Sequence, residues 1–103
     1  MINNILTPVG LPYRETAFPR GPAGDYIIYH DDVTADGPDG YNRIYTHDIT
    51  VELYTAAPNP AAEAALEAEL DRLGIHWTRQ SRLWVDGAQR YQTAYDFTYT
   101  MKT

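Results

Sequence analysis

The chain has 103 residues, of which 44% are hydrophobic and 13% aromatic, so it can form one folded domain over 1–103 and is not globally disordered. Its net charge of −6 argues against a protein that binds nucleic acid by neutralising phosphates. Cysteine is absent, no apolar run is long enough to cross a bilayer, and the N-terminus lacks the basic start of a signal peptide. We therefore expect a protein made in the cytosol, without disulfides, thiolate metal sites or a membrane partner.

The N-terminal segment, residues 1–24, holds four of the seven prolines and reads as loosely structured. Residues 2–7 can form one or two helical turns. An edge strand fits within 11–18, because proline is tolerated at sheet edges and strand starts. Residues 19–24 are a turn by composition.

Two strands are predicted next, with an acidic segment between them. Residues 25–30 are rich in β-branched and aromatic side chains, as strands are. Residues 31–40 are rich in Asp, Gly and Pro, which predicts an exposed acidic loop. The clearest strand, 41–55, alternates apolar and polar residues, which is typical of an antiparallel sheet with one wet face.

One helix is predicted, over residues 60–73. Asn59 is a suitable N-cap, Pro60 occupies the first helical position, and Gly74 can end the helix in a left-handed conformation. The apolar stripe is formed by Ala62, Leu66, Leu70 and Leu73. Acidic residues off this stripe, namely Glu63, Glu67 and Asp71, are predicted to form a solvent face.

The C-terminal part predicts two further strands, over 75–86 and 90–101, joined by a turn at 86–89. The fold class is thus α+β, a single mainly antiparallel sheet of four to five strands with one amphipathic helix packed on one face, in the order β-β-β-α-β-β. The predicted core consists of Ile49, Val51, Leu53, Leu66, Leu70 and Phe97.

The sequence contains no clear catalytic motif and no clear metal-binding motif. The three histidines, His30, His47 and His76, lack metal-ligand spacing, and the calcium-loop pattern that begins at Asp32 places Arg43 where a carboxylate is needed. The single serine, Ser81, has no nucleophile-elbow context. We expect a non-enzymatic protein with no catalytic, cofactor-binding or metal-binding residues.

Charge is unevenly distributed along the chain. Residues 21–71 hold eleven acids and one base, Arg43, whereas residues 72–103 hold five bases and two acids. Such segregation favours a head-to-tail contact in which the acidic part of one copy meets the basic part of the next. The candidate contacts between subunits or with partners are Asp31, Asp32, Asp36, Asp39, Arg79, Arg82 and Arg90.

A family resemblance is carried by four stretches of the chain. The long strand 45–54 ends in Val-Glu-Leu-Tyr, an amphipathic helix follows, and then come Gly-Ile-His-Trp-Thr-Arg at 74–79 and Tyr-Gln-Thr-Ala-Tyr-Asp-Phe at 91–97. This arrangement resembles the small tail-terminator or tail-completion proteins of siphophages and prophages, which belong to the head–tail joint.

The resemblance implies a structural virion protein rather than an enzyme. It implies a homo-oligomeric ring, usually of six copies, that caps the tail tube and docks to neck or connector proteins, after assembly in the host cytoplasm. DNA would pass through such a ring without specific binding, because an acidic lumen repels phosphates. The alternative is a small acidic inhibitor or DNA-mimic protein of a phage or prophage, and the oligomeric state would distinguish the two.

Overall fold

The computed structural model describes residues 1–37 and 43–102, with the side chain of Lys102 excepted. Its helices and strands are α1 (Ile2–Leu6), β1 (Tyr13–Glu15), β2 (Tyr26–Asp36), β3 (Ile44–Thr55), α2 (Pro60–Arg72), β4 (Trp77–Arg79), β5 (Leu83–Val85) and β6 (Arg90–Lys102). Short 3-10 turns follow α1 and β5.

The strands form one sheet in the order β1-β2-β3-β6-β4, and β5 pairs with β6 beside β4. The β1–β2 pair is parallel and the other pairs are antiparallel. The predicted α+β class with a mainly antiparallel sheet is confirmed. The strand count differs, because the predicted strand 75–86 is interrupted at 80–82 and so provides both β4 and β5.

Helix α2 begins and ends where local sequence signals place it. The Asn59 side chain accepts a hydrogen bond from the Ala62 amide at 3.1 Å, and Pro60 follows as the first helical residue. At the other end Gly74 has φ +69°, and the Gly74 and Ile75 amides donate to the carbonyls of Asp71 and Leu70. This pair of bonds is a Schellman motif, which favours glycine because only glycine adopts a positive φ without strain.

The core lies between α2 and the sheet face that the helix covers. The six predicted core residues are all buried, with exposures between 0 and 5%. Two fully buried residues of α1, Ile5 and Leu6, join them, so the N-terminal segment contributes to the core. The structure also confirms the predicted edge strand in this segment, as β1.

The predicted loop at 31–40 is wrong for its first six residues. Residues 31–36 continue β2, in antiparallel register with β3 from Asp31 opposite Ile49 to Asp36 opposite Ile44. Pairing along a neighbouring strand outweighs the turn preference of isolated Asp residues, as β propensity depends on context. The segment is largely solvent-exposed, as expected, and residues 38–40 lie outside the described residues.

Candidate interaction surfaces

A network of ion pairs joins α2 to β4, β6 and the segment before β5. Glu63 is 5% exposed, and its carboxylate accepts hydrogen bonds from Arg82 at 2.6–3.1 Å and from the Thr93 hydroxyl at 3.1 Å. Arg79 lies 3.0 Å from Glu67 and 3.6 Å from Glu63. These bonds fasten the helix to the sheet at its first two turns.

The predicted acidic solvent face of α2 is wrong at Glu63, which is buried, and only partly right at Glu67, which is half-buried and paired with Arg79, whereas Asp71 is exposed as expected. Besides the Glu63 and Glu67 pairs, Asp71 accepts a hydrogen bond from the Trp77 indole at 2.9 Å. All three acids face partners on the C-terminal strands or beside them, which a helical wheel cannot show. The charges of Glu63 and Glu67 are compensated by arginines of the same chain, whereas the partner of Asp71 is a neutral indole and Asp71 stays exposed.

Tyr95 extends the same network into the core. Its side chain is fully buried and its hydroxyl donates to Glu67 at 2.7 Å. Burial raises the pKa of Tyr95 well above its usual value, and the bond to the Glu67 carboxylate raises it further. The phenol is thus held neutral as a donor.

On the sheet face away from α2, the part around Thr50 and Asp96 is polar, and we call this part the threonine–aspartate face. The other end of the same face is largely apolar and carries Tyr26, Ile28 and Tyr54. Thr50 donates to Asp96 at 2.8 Å, and Thr98 donates to Asp48 at 2.8 Å. An open depression of about 500 Å³ lies on the threonine–aspartate face and is lined mainly by polar residues, including Asp32, Asp48, Thr50, Thr78, Asp96 and Thr98. Within residues 1–37 and 43–102, no three His, Asp or Glu side chains are placed to hold a metal ion.

The long strands extend into a three-stranded projection that we call the arm, formed by residues 31–36, 44–49 and 98–102. The molecule is 47 Å along its longest axis. On the arm Val33 is 52% exposed, Ile44 is 44% exposed and Met101 is 47% exposed. Inside the arm, His47 stacks on Tyr99 and bonds to Asp31 at 2.9 Å. The sequence pattern did not single out these exposed apolar residues.

The predicted contact residues fall into three places. Asp31, Asp32 and Asp36 share the arm, with Asp31 engaged by His47. Arg79 and Arg82 share the ion-pair network, and Arg90 lies at the far end of β6, where it donates to the Ala23 carbonyl at 2.9 Å. Asp39 lies outside the described residues. The positions of these residues within one chain do not show whether they contact another subunit, so the contact between subunits stays a prediction.

A solved structure shares this fold over nearly the whole chain. The matching chain, one of 22 that match, comes from the "Virion of native gene transfer agent (GTA) particle". The TM-score is 0.62 and the identity is 22%, and the match covers 96% of this chain and 84% of that chain. No family model and no curated protein matches the sequence.

In the part of the chain that the structure describes, no helix has the length and apolarity to span a membrane.

Proposed function

We propose that this chain is a non-enzymatic structural protein of a phage-like virion. The observation that carries the proposal is the fold match to a virion chain over 96% of the residues, which leaves no large part of the chain outside the shared fold. The charge and surface agree with such a role. The depression on the threonine–aspartate face and β2 of the arm carry aspartates and no Lys or Arg, whereas a protein that binds DNA presents a basic surface.

The finer proposal is a tail terminator, a ring that caps the tail tube and docks to neck proteins at the head–tail joint. Its support is the sequence resemblance, together with exposed apolar side chains at two opposite ends of the folded sheet. Val33, Ile44 and Met101 lie on the arm, and Leu83 and Trp84 lie on β5. Apolar side chains grouped in this way are typical of surfaces that become buried in an assembly.

The test compares particles produced with and without the gene for this chain. Mass spectrometry of purified particles should find the chain in stoichiometric amounts, and a gold label on it should lie at the head–tail joint in electron micrographs. Without the gene, tails should have irregular lengths and should not join heads, and complementation with the wild-type gene should restore both. A chain missing from purified particles would overturn the virion role. Label at another position would overturn only the terminator role.

The alternative of an acidic inhibitor is supported by the exposed acids Asp32, Asp36 and Asp48, which could occupy a basic groove. The helix acids Glu63 and Glu67 do not support this alternative, because they are paired with arginines of the same chain. An inhibitor would co-purify as a monomer or dimer with a DNA-binding host protein and would leave particle structure unchanged. Pull-down from infected cells, beside the particle analysis, separates the two functions.

A further inference from the structure

The arm has an unpaired main-chain edge on each side. β1 covers β2 only along Ile27–Tyr29, and β4 and β5 cover β6 only as far as Phe97. Among the described residues, the outer sides of 31–36 and 98–102 pair with no strand. Such edges present rows of main-chain donors and acceptors that can bind a further strand.

The outward-facing residues follow from the hydrogen bonds beside the arm. On β2, the Ile27 amide donates to Pro12 and the Tyr29 carbonyl accepts from Thr16, so odd-numbered residues direct their main-chain groups away from β3. On β6, the Ala94 carbonyl accepts from Gln80, so even-numbered residues face outward there. The open edges are therefore formed by Asp31, Val33 and Ala35 on β2 and by Thr98, Thr100 and Lys102 on β6.

We propose that copies of this chain join through these edges, with the β2 edge of one arm pairing with the β6 edge of the next. The proposal rests on the proposed function, because it specifies how the copies of a virion ring would meet. β2 and β6 run in the same direction, since both are antiparallel to β3. If neighbouring copies are related by rotation about an axis parallel to the strands, β2 of one copy therefore meets β6 of the next as a parallel pair. Each copy uses two different edges, so the contact closes into a ring or continues as a filament.

Charge and apolar surface favour this pairing over a like-with-like contact. Two β2 edges placed together would gather Asp31, Asp32 and Asp36 of both copies along one contact, where like charges repel. The β6 edge offers the uncharged Thr98 and Thr100 instead. Val33 on β2 and Met101 on β6 lie on the same side of the sheet, and both are about half exposed. The proposed contact covers both of them.

The test replaces an outward amide by proline on one edge at a time. Val33→Pro removes a donor on the β2 edge, and Thr100→Pro removes one on the β6 edge. Neither amide faces β3, so both variants should keep the fold, as checked by circular dichroism and thermal unfolding. Val33→Ala and Thr100→Ala, which keep the amides, are the matched controls.

Sedimentation velocity over a range of concentrations, with glutaraldehyde cross-linking at the highest, gives the oligomer size. Wild type should form rings or filaments. Each proline variant alone should associate about tenfold more weakly or not at all, and each alanine variant should stay within about threefold of wild type. An equimolar mixture of the two proline variants should form dimers and nothing larger, because one intact edge remains on each.

Two results would overturn the proposal. Wild type that stays monomeric throughout would show that the edges are closed to other copies. A single proline variant that associates as wild type does would place the contact elsewhere, or would identify a like-with-like pair through the edge left intact. If the chain is nonetheless found in purified particles, only the edge pairing fails and the proposed function stands.

Discussion

At the residue scale, Glu63 is the side chain on which the attachment of the helix depends. It is nearly buried, and Arg82 and Thr93 both donate to it. Glu63→Gln removes the charge and leaves Arg82 without its carboxylate, so we expect a loss of about 1–3 kcal/mol in the free energy of unfolding. Glu69→Gln, which breaks the pair with the exposed Arg72, should cost less than about 1 kcal/mol. Urea unfolding of both variants is the measurement, and equal losses would contradict the assigned role of Glu63.

The raised pKa of Tyr95 should make the free energy of unfolding depend on pH. Its pKa in the folded state lies above the ordinary value of 10, so above pH 10 the unfolded chain loses the phenolic proton while the folded chain keeps it. The unfolded state then binds fewer protons, and stability falls as the pH rises, by at most about 1.4 kcal/mol per pH unit for this group.

The effect of Tyr95 can be separated from that of the other tyrosines. Burial also raises the pKa of Tyr29, Tyr54 and Tyr99, so Tyr95→Phe should make the fall above pH 10 shallower without abolishing it. Tyr91→Phe, which removes a phenol that packs against Trp84, is the control. Thermal unfolding between pH 8 and about 12 is the measurement. Identical slopes in wild type and Tyr95→Phe would refute the neutral buried phenol.

At the scale of elements, the contact of α2 with the sheet is tested at Leu70. This side chain is fully buried in the core, so Leu70→Ala should cost about 2–5 kcal/mol by leaving a cavity. Leu73→Ala, at the half-buried end of the helix, should cost less. Chemical unfolding of both variants checks the order, and a loss at Leu70 below about 1 kcal/mol would mean that the helix does not depend on this contact.

Elements with local signals could be predicted from the sequence, and those that depend on distant partners could not. Asn59 and Gly74 set the ends of α2 through bonds to near neighbours, and the alternation in β3 and β6 marked their buried faces. The strand character of 31–36 depends on register with a neighbouring strand, and composition concealed it. The burial of Glu63 depends on Arg82, nineteen residues away, and the candidate contact edges exist only because β1 and β4 are short.

At the scale of the whole molecule, the structure changes what salt should do to association. The sequence suggested that acids of one copy meet Arg79 and Arg82 of the next, in which case added salt would weaken the assembly. Both arginines are paired with helix acids of their own chain, and the chain carries a net charge of −6. Salt should therefore leave association unchanged or strengthen it, by screening repulsion between copies.

Sedimentation in about 0.05 M and about 0.5 M sodium chloride measures this effect. A marked loss of association in the higher salt would show that ion pairs between copies carry the contact. Reversing Arg79 or Arg82 to Glu is a poorer test, because the change would also break bonds to Glu67 or Glu63 and lower the stability of the monomer. The salt series leaves the covalent structure unchanged and avoids that ambiguity.

The place of β6 in the sheet sets the order in which the molecule can fold. β6 is the last of the described strands in the sequence, yet it lies beside β3, β4 and β5, and its pairing with β3 joins residues some fifty positions apart at Asp48 and Thr98. Because β6 follows the other described strands along the chain, the sheet and core of the nascent chain stay incomplete until β6 has emerged from the ribosome. Topologies dominated by such non-local pairs fold slowly, in about milliseconds to seconds. During that interval one side of β3 is unpaired and can bind strands of other chains. The risk of aggregation is therefore greatest while nascent copies lie close together and β6 has not yet paired.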